Sequence, residues 1–229
     1  AKGVVTKAHT PGFYTTGDNN WFYADSHGRN VTGAQIINGQ HLYFDANGRQ
    51  VKGGFVMNTD GSRSFYHWNT GDKLVSTFFT TGHDRWYYAD DKGNVVTGAQ
   101  VINGQKLFFA TDGKQVKGDF ATNANGSRSY YHGATGNKLV STFFTTGDNN
   151  WYYADAKGEL VVGEQTINGQ NLYFDQTGKQ VKGATATNPD GSISYYDVHT
   201  GEKVINRWVK IPSGQWVYFN AQGKGYVSN

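Results

Sequence analysis

Aromatic residues and glycine turns alternate along this chain in a regular order. Each short aromatic segment is followed by polar residues that include a glycine, a pattern typical of β-strands joined by tight turns. The aromatic pairs stand at Phe22-Tyr23, Tyr43-Phe44, Phe65-Tyr66 and Tyr87-Tyr88. Side chains alternate between the two faces of a strand, so Leu42 and Phe44 are predicted to build the core and Tyr43 to face away from it. No segment has the apolar period of a helix, and helix content is predicted to be near zero.

Each aromatic strand is predicted to open a β-hairpin. After the strand comes a glycine turn and then a return strand such as Gln50-Val51-Lys52-Gly53 or Lys73-Leu74-Val75-Ser76. The turn glycines are Gly28, Gly48 and Gly71. Asn38-Gly39 and Asp60-Gly61 are predicted to be further turns between these hairpins. Because hairpins this short are not stable alone in water, the pattern predicts an all-β fold, a β-solenoid of stacked short hairpins.

The hairpin pattern repeats with a longer period of 65 residues, the constant spacing of Trp21, Trp86, Trp151 and Trp216. Each period contains about three hairpins, as expected for a repeat protein. The whole chain, 1–229, is therefore interpreted as one repeat array. Its predicted parts are a partial repeat at 1–20, full periods at 21–85, 86–150 and 151–215, and a partial repeat at 216–229.

Composition and charge narrow the function classes. The hydrophobic fraction is 37%, the aromatic fraction is 15% and the net charge is +3, with basic residues scattered singly. A basic stripe for nucleic acid is absent, and no apolar run approaches the length of a membrane span. The chain has no cysteine, which fits an exported protein. Residues 1–16 do not resemble a signal peptide, so we expect a fragment of a longer secreted protein whose export signal lies elsewhere.

One polar pair recurs once per period and marks the candidate binding site. Glutamine and lysine stand two residues apart on the second return strand, which places both side chains on one face, beside an outward ring of the partner strand. A sugar needs such a combination, because its C–H face packs on a ring while its hydroxyls need donors and acceptors. The three sets are Tyr43, Gln50 and Lys52, then Phe108, Gln115 and Lys117, then Tyr173, Gln180 and Lys182. The alternative is that these are solvated polar positions and packing rings.

The repeats resemble the glucan-binding domain of bacterial glucansucrases over essentially all 229 residues. The resemblance lies in the Trp-Tyr-Tyr-Ala-Asp segments, in Ile37-Asn38-Gly39-Gln40 and its copies, and in Gln50-Val51-Lys52-Gly53 and its copies. It implies a non-catalytic, extracellular β-solenoid that binds α-glucan or isomalto-oligosaccharides through the three sets above. We expect the chain to be a monomer, and contact with the catalytic domain of a parent enzyme is an alternative role for the array. Phe108 lacks the hydroxyl of Tyr43 and Tyr173, so the second pocket is expected to bind most weakly.

The choline-binding modules of bacterial surface proteins are a second family with similar aromatic hairpins. A quaternary ammonium ligand needs several aromatic faces, including a tryptophan directly after the hairpin glycine. This chain has no tryptophan at those positions, which are Ala34, Gly54, Ala99, Asp119, Glu164 and Ala184. The sequence therefore favours glucan over choline. A cell-wall-polymer module or a structural spacer is the remaining alternative.

Catalytic and metal-binding interpretations have less support. The chain lacks the common hydrolase, metalloprotease and phosphate-binding motifs, so no enzymatic activity, cofactor or metal is predicted for it. The recurring Asp25 is interpreted as a turn residue rather than a catalytic acid. The loop Asn58-Thr59-Asp60-Gly61-Ser62 is interpreted as a tight turn rather than a calcium loop. His67 and His132 recur, but the third copy is Asp197, which argues against a metal ligand.

Overall fold

The computed structural model describes residues 8–227, and all of its regular structure in this range is β-strand. The strands are β1 Gly12–Thr15, β2 Trp21–Ala24, β3 Gly33–Ile37, β4 Gln40–Phe44, β5 Gly54–Met57, β6 Arg63–Tyr66, β7 Thr77–Thr80, β8 Trp86–Ala89, β9 Gly98–Ile102 and β10 Gln105–Phe109. They continue with β11 Asp119–Thr122, β12 Arg128–Tyr131, β13 Thr142–Thr145, β14 Trp151–Ala154, β15 Gly163–Ile167, β16 Gln170–Phe174, β17 Ala184–Thr187, β18 Ile193–Tyr196, β19 Arg207–Lys210 and β20 Trp216–Phe219. No helix in this range has the length and apolarity needed to cross a membrane.

Consecutive strands pair two by two into short hairpins, and three such hairpins fill each period, as predicted. In β3 and β4, Gly33 lies opposite Phe44 and Ile37 lies opposite Gln40. The two strands are joined by Asn38 and Gly39, both with positive φ, at 51° and 79°. These are the backbone angles of a two-residue hairpin turn, in which asparagine and glycine are favoured.

The assignment of the hairpin turns from sequence was wrong. Asn38-Gly39 and Asp60-Gly61, predicted to lie between hairpins, are the turns within them. The segment Gln50-Val51-Lys52-Gly53 is not an extended return strand, because its pairing with β4 is limited to a bridge between Gln50 and Phe44 and a bond from the N–H of Val51 to the carbonyl of Tyr43, at 2.8 Å. The physical reason is a competing partner: the N–H of Gln50 donates to the carbonyl of Trp21, at 2.7 Å, in the preceding hairpin.

Chain contacts divide into two compact units, each built by stacking hairpins on one another. The first contains residues 1–100 and 109–115, the second 101–108 and 116–229, of which 8–227 are described. In the first unit Lys73 N–H donates to the carbonyl of His41, at 2.9 Å, and in the second Lys203 N–H donates to that of Asn171, at 2.8 Å. These bonds join successive hairpins, so neither unit depends on a continuous sheet. The predicted boundaries of the array and its periods stay a prediction, and residues 1–7 and 228–229 of the partial end repeats lie outside the described residues.

Aromatic and aliphatic side chains form the core of each unit in successive layers. Leu42 and Phe44 are fully buried and pack with Ile37, whereas Tyr43 on the opposite face is only half-buried. The predicted alternation is therefore confirmed. In the next layer the rings of Phe65 and Phe79 stack with centroids 4.6 Å apart. Leu172, Phe174 and Ile167 repeat the first layer in the second unit.

Aspartates recur where strands end, and they close the turns as expected. Oδ1 of Asp25 accepts hydrogen bonds from the N–H groups of His27, at 2.8 Å, and Arg29, at 3.0 Å. The pKa of Asp25 is lowered, chiefly by the backbone N–H of Arg29, because these bonds favour the charged carboxylate. Asp155 makes the same pair of bonds in the second unit.

Candidate functional site

The glutamine and lysine of the first set lie side by side, but only the lysine approaches solvent. Gln50 is buried, with 7% of its surface exposed, and its side-chain nitrogen donates to the carbonyl of Thr70, at 3.2 Å. A Cβ on Gly71 would lie 2.2 Å from that nitrogen and 3.3 Å from Cγ of Lys52. The side chains of Gln50 and Lys52 therefore both pack over Gly71. This agrees with the prediction that they lie on one face of their segment. The glutamine is packed beneath the next turn rather than projecting freely into solvent.

The second unit repeats this arrangement around Gln180 and Lys182. Gln180 is buried to the same extent as Gln50. A Cβ on Gly201 would lie 2.3 Å from its side-chain nitrogen and 3.4 Å from Cε of Lys182. The backbone N–H of Gln180 donates to the carbonyl of Trp151, at 2.7 Å. The same local structure thus occurs once in each unit.

Each of these lysines places its ammonium over an indole. Nζ of Lys52 lies 5.2 Å from the ring centroid of Trp21, and Nζ of Lys182 lies 5.6 Å from that of Trp151. Both distances fall within the range of cation–π contacts. Trp21 and Trp151, two of the tryptophans whose spacing defines the period, therefore contact the lysines of the candidate site.

A cavity of about 300 Å³ surrounds the first glutamine and lysine. Arg49 and Asp45 form an ion pair on its wall, at 3.5 Å, and Arg49 also contacts the side-chain oxygen of Asn20, at 3.4 Å. Trp68 forms another wall and is 48% exposed. The lining residues are Asn19, Asn20, Asp45, Arg49, Gln50, Val51, Lys52 and Trp68. The cavity therefore offers amide and charged hydrogen-bonding groups next to an exposed indole.

A corresponding cavity of about 480 Å³ lies in the second unit. One of its lining residues is Val198, at the sequence position that corresponds to Trp68 in the first unit. It is lined by Asp148, Asn149, Lys179, Gln180, Lys182, Val198 and His199. The polar groups of the two cavities are similar, but only the first has an indole at this position.

The predicted stacking rings Tyr43 and Tyr173 each pack against a buried tyrosine. The ring centroids of Tyr43 and Tyr66 are 5.8 Å apart, and those of Tyr173 and Tyr196 are 5.5 Å apart. Burial raises the pKa of the Tyr66 and Tyr196 hydroxyls. Tyr43 and Tyr173 remain half-buried. Their role in ligand binding stays a prediction.

The residues of the second set are distributed over both units. Gln115 belongs to the first unit, where it is buried and its N–H donates to the carbonyl of Trp86, at 2.7 Å. Phe108 and Lys117 belong to the second unit, where the ring of Phe108 packs against Tyr131 with centroids 5.7 Å apart. The expectation that this set binds most weakly stays a prediction.

Sequence reasoning missed several residues that line the two cavities. Asn19 and Asn149 have positive φ values of 61° and 59°, in the loops directly before the first and third full periods, which both read Thr-Thr-Gly-Asp-Asn-Asn. Trp68 was missed as well, although it departs from the repeat, since the other two copies have Gly133 and Val198. An irregular tryptophan in a regular array is the signal that could have indicated it.

The other recurring polar residues close turns. Oδ1 of Asp60 accepts hydrogen bonds from the N–H and hydroxyl of Ser62, at 2.9 and 2.6 Å. Nδ1 of His67 accepts from the N–H of Thr70, at 3.3 Å, and Asp197 makes the equivalent bond to Thr200, at 3.1 Å. Histidine and aspartate are therefore interchangeable turn acceptors here. Within residues 8–227 no group of three His, Cys, Asp or Glu side chains is placed to hold a metal ion.

Stacked two-stranded hairpins with aromatic cores define a β-repeat protein with polar cavities lined by residues of its turns. Comparison with known families identifies the repeat. A choline-binding repeat matches residues 31–78, 96–143 and 161–208, and a putative cell wall binding repeat matches 76–95, 141–160 and 206–224. The chain belongs to the family of choline-binding repeats.

Two similar proteins are bacterial glucosyltransferases. Glucosyltransferase-S of Streptococcus mutans is 40% identical over 203 residues, which cover 89% of this chain and 14% of the relative. Glucosyltransferase-I of the same species is 46% identical over 190 residues, which cover 83% of this chain and 13% of the relative. The chain thus spans only about a seventh of the curated relatives that it matches.

Solved structures with similar folds include two choline-binding proteins. The structure of CbpF in complex with ipratropium superimposes with a TM-score of 0.65 at 19% identity, covering 91% of this chain and 76% of that one. The choline-binding domain of CbpL from Streptococcus pneumoniae gives 0.60 at 20% identity, covering 87% and 99%. These similarities establish the stacked-hairpin fold, and the predicted fold class is confirmed.

Proposed function

We propose that this chain is a non-catalytic carbohydrate-binding array that holds α-glucan, with isomaltosyl units in the cavities at Lys52 and Lys182. The observation that carries the proposal is the recurrence, once in each unit, of a cavity that combines a buried glutamine, a lysine and loop amides. Volumes of about 300 and 480 Å³ are within the range of small-molecule sites.

The chemistry of the first cavity suits a sugar. Asn20 and Lys52 supply hydrogen-bond donors, and Asp45 supplies acceptors for hydroxyl groups. Trp68 presents a half-exposed indole on which the C–H face of a pyranose can pack. Tyr43 contributes by packing against Tyr66 and shaping the adjoining turn. Gln50 holds the lysine-bearing segment against Gly71, so its contribution is to position the site.

Relatedness to glucosyltransferases supports an extracellular glucan ligand. The similarity extends over 83% and 89% of this chain in the two Streptococcus mutans enzymes, at 46% and 40% identity. In such a protein the array retains polymer near the enzyme while the transfer of glucosyl units takes place in another domain. Weak contacts at more than one cavity raise the effective concentration of the polymer at each of them.

Affinity electrophoresis in gels that contain dextran tests this function. We expect dextran to retard the wild-type chain relative to a dextran-free gel, and to retard the double variant Lys52→Met, Lys182→Met less, each variant being compared with its own mobility without dextran. Methionine keeps the apolar stem and removes the donor. Lys73→Met is the matched control, because that lysine packs over Gly93 and lines neither cavity. Wild-type migration that dextran does not change would contradict the proposal.

A ligand with a quaternary ammonium is the second candidate, because the chain belongs to the choline-binding repeat family. Such a ligand would have to reach an aromatic face in the same cavities. Retention of the wild-type chain on a choline resin, with elution by free choline, would favour this candidate over glucan.

A further inference from the structure

Two lysines stand where a cationic ligand would be expected to bind. We propose that the ammonium groups of Lys52 and Lys182 occupy the indole faces of Trp21 and Trp151 and thereby exclude choline and other quaternary ammonium ligands from this array. Each lysine acts as a built-in substitute for such a ligand. The inference goes beyond glucan binding and holds whether or not the same lysines also contact sugar.

The first step of the argument is the position of the charges. Nζ of Lys52 lies 5.2 Å from the centroid of the Trp21 ring, and Nζ of Lys182 lies 5.6 Å from that of Trp151. A trimethylammonium group binds to an aromatic face through the same electrostatic attraction and at a similar distance. Lysine and ligand therefore compete for one surface.

The second step is that each lysine is held in register with its tryptophan. The N–H of Gln50 donates to the carbonyl of Trp21, and that of Gln180 to the carbonyl of Trp151, both at 2.7 Å. Lys52 follows Gln50 by two residues, and its stem crosses Gly71 with Cγ 3.3 Å from the position of an added Cβ. The ammonium is thus directed to the ring by a backbone bond and by packing, which limits its freedom to move aside.

The third step is electrostatic. An incoming cation would approach the lysine ammonium closely, and like charges at short distance repel one another. Arg49 lines the same cavity and adds a second positive charge, and its ion pair with Asp45 reduces the ability of that carboxylate to compensate a ligand. Lys179 has the corresponding place in the second unit. Two basic side chains thus line each cavity, against Asp45 in the first and Asp148 in the second. This charge disfavours a cationic ligand beside the rings of Trp21 and Trp151.

Replacing the lysine should expose the indole face that its ammonium covers. Lys52→Ala would uncover the Trp21 ring beside a cavity that is lined by Trp68, whereas Lys182→Ala would uncover the Trp151 ring beside a cavity that is lined by Val198. Two indoles enclose a quaternary ammonium better than one. We therefore expect the gain in choline affinity to be larger for Lys52→Ala.

The test is isothermal titration calorimetry, in which choline chloride or tetramethylammonium chloride is titrated into the chain at constant ionic strength and the dissociation constant is measured. We expect the double variant Lys52→Ala, Lys182→Ala to bind at least about tenfold more tightly than wild type, which is the effect of one good cation–π contact. Lys52→Arg should bind choline no more tightly than wild type, because a guanidinium also covers the ring. Lys73→Ala lowers the net charge by one, as Lys52→Ala or Lys182→Ala alone does, and should leave choline binding unchanged.

Unchanged choline binding in the double variant, with its thermal unfolding preserved, would overturn the inference. If the alanine variants unfold, Lys52→Gln and Lys182→Gln remove the charge and keep most of the stem, and the same gain is expected of them. Dextran retardation is measured separately in each variant, so failure of the choline test is distinguished from failure of the glucan proposal.

Discussion

The buried ring of Tyr131 packs against Phe108 with centroids 5.7 Å apart, and its hydroxyl has no hydrogen-bond partner among residues 8–227. The equivalent tyrosines of the other copies, Tyr66 and Tyr196, lie instead beside Tyr43 and Tyr173. An unsatisfied buried hydroxyl destabilises the folded state, since it gives up its bonds to water.

Tyr131→Phe should therefore stabilise the chain. Removing the unpaired hydroxyl while keeping the ring is expected to raise the free energy of unfolding by about 1 kcal/mol. The measurement is the urea midpoint of unfolding followed by circular dichroism. Tyr66→Phe is the matched control and should give no such increase, because its hydroxyl is not an unpartnered buried group. A lower midpoint for Tyr131→Phe would contradict this account.

Gly71→Ala should destabilise the first unit more than Gly61→Ala does. Both glycines have positive φ, 72° and 84°, so either alanine strains the backbone by about 1–2 kcal/mol. Only at Gly71 would the new Cβ also collide with Gln50, at 2.2 Å, whereas nothing lies within 4 Å at Gly61. We expect a further loss of about 1–3 kcal/mol from this overpacking.

Unfolding midpoints of the two alanine variants measure the difference, and dextran retardation measures its consequence for the site. Gly71→Ala should weaken retardation because it displaces Gln50 and the neighbouring Lys52. Equal midpoints and equal retardation in the two variants would show that Gln50 does not depend on this glycine.

The sequence predicted the hairpin array but not which glycine closes each hairpin. Asn38-Gly39 and the turn at Gly48 have similar local chemistry, and both glycines have positive φ. The choice is made by the bond from Gln50 to Trp21, which joins two hairpins and has no local signal. Contacts between repeats, rather than local turn propensity, therefore determine which glycine lies at the turn of each hairpin.

The candidate site could also be predicted only in part from the sequence. Spacing correctly placed Gln50 beside Lys52, because side-chain direction along an extended segment is a local property. The burial of Gln50 depends on Gly71 in the next turn, and the position of Trp68 at the cavity wall depends on how one hairpin stacks on another. Neither could be read from the separate segments.

Asp197 should titrate at unusually low pH. Its pKa is lowered to about 2, first by the backbone N–H of Thr200, then by that of His199, and also by Arg207. Because the folded pKa lies below the ordinary value, the carboxylate stabilises its turn above about pH 4, and this contribution is lost as the pH falls through about 2.

Amide chemical shifts of His199 and Thr200, followed by NMR from pH 5 downward, measure this titration. We expect their inflection near pH 2 and its absence in Asp197→Asn, in which the side chain no longer ionises. Arg207→Gln should raise the apparent pKa only slightly, since the backbone bonds are the larger cause. An inflection at the ordinary aspartate value of about 4 would show that these bonds do not persist in solution.

Exchanging the residues at one wall position should exchange the strengths of the two glucan cavities. Trp68 is half-exposed at the wall of the first cavity, and Val198 holds that position in the second. Stacking on an aromatic ring contributes about 0.5–1.5 kcal/mol beyond the area buried, so Trp68→Ala should weaken isomaltotriose binding to the first unit roughly threefold to tenfold. Val198→Trp should strengthen binding to the second unit by a similar factor.

Heteronuclear NMR titration resolves the two sites by the shifts of Asn20 and Asn149. Trp208→Ala is the control, because this exposed tryptophan lines neither cavity and should change neither titration. If Trp208→Ala weakens binding as much as Trp68→Ala does, the ligand is held by exposed rings in general rather than by the cavities.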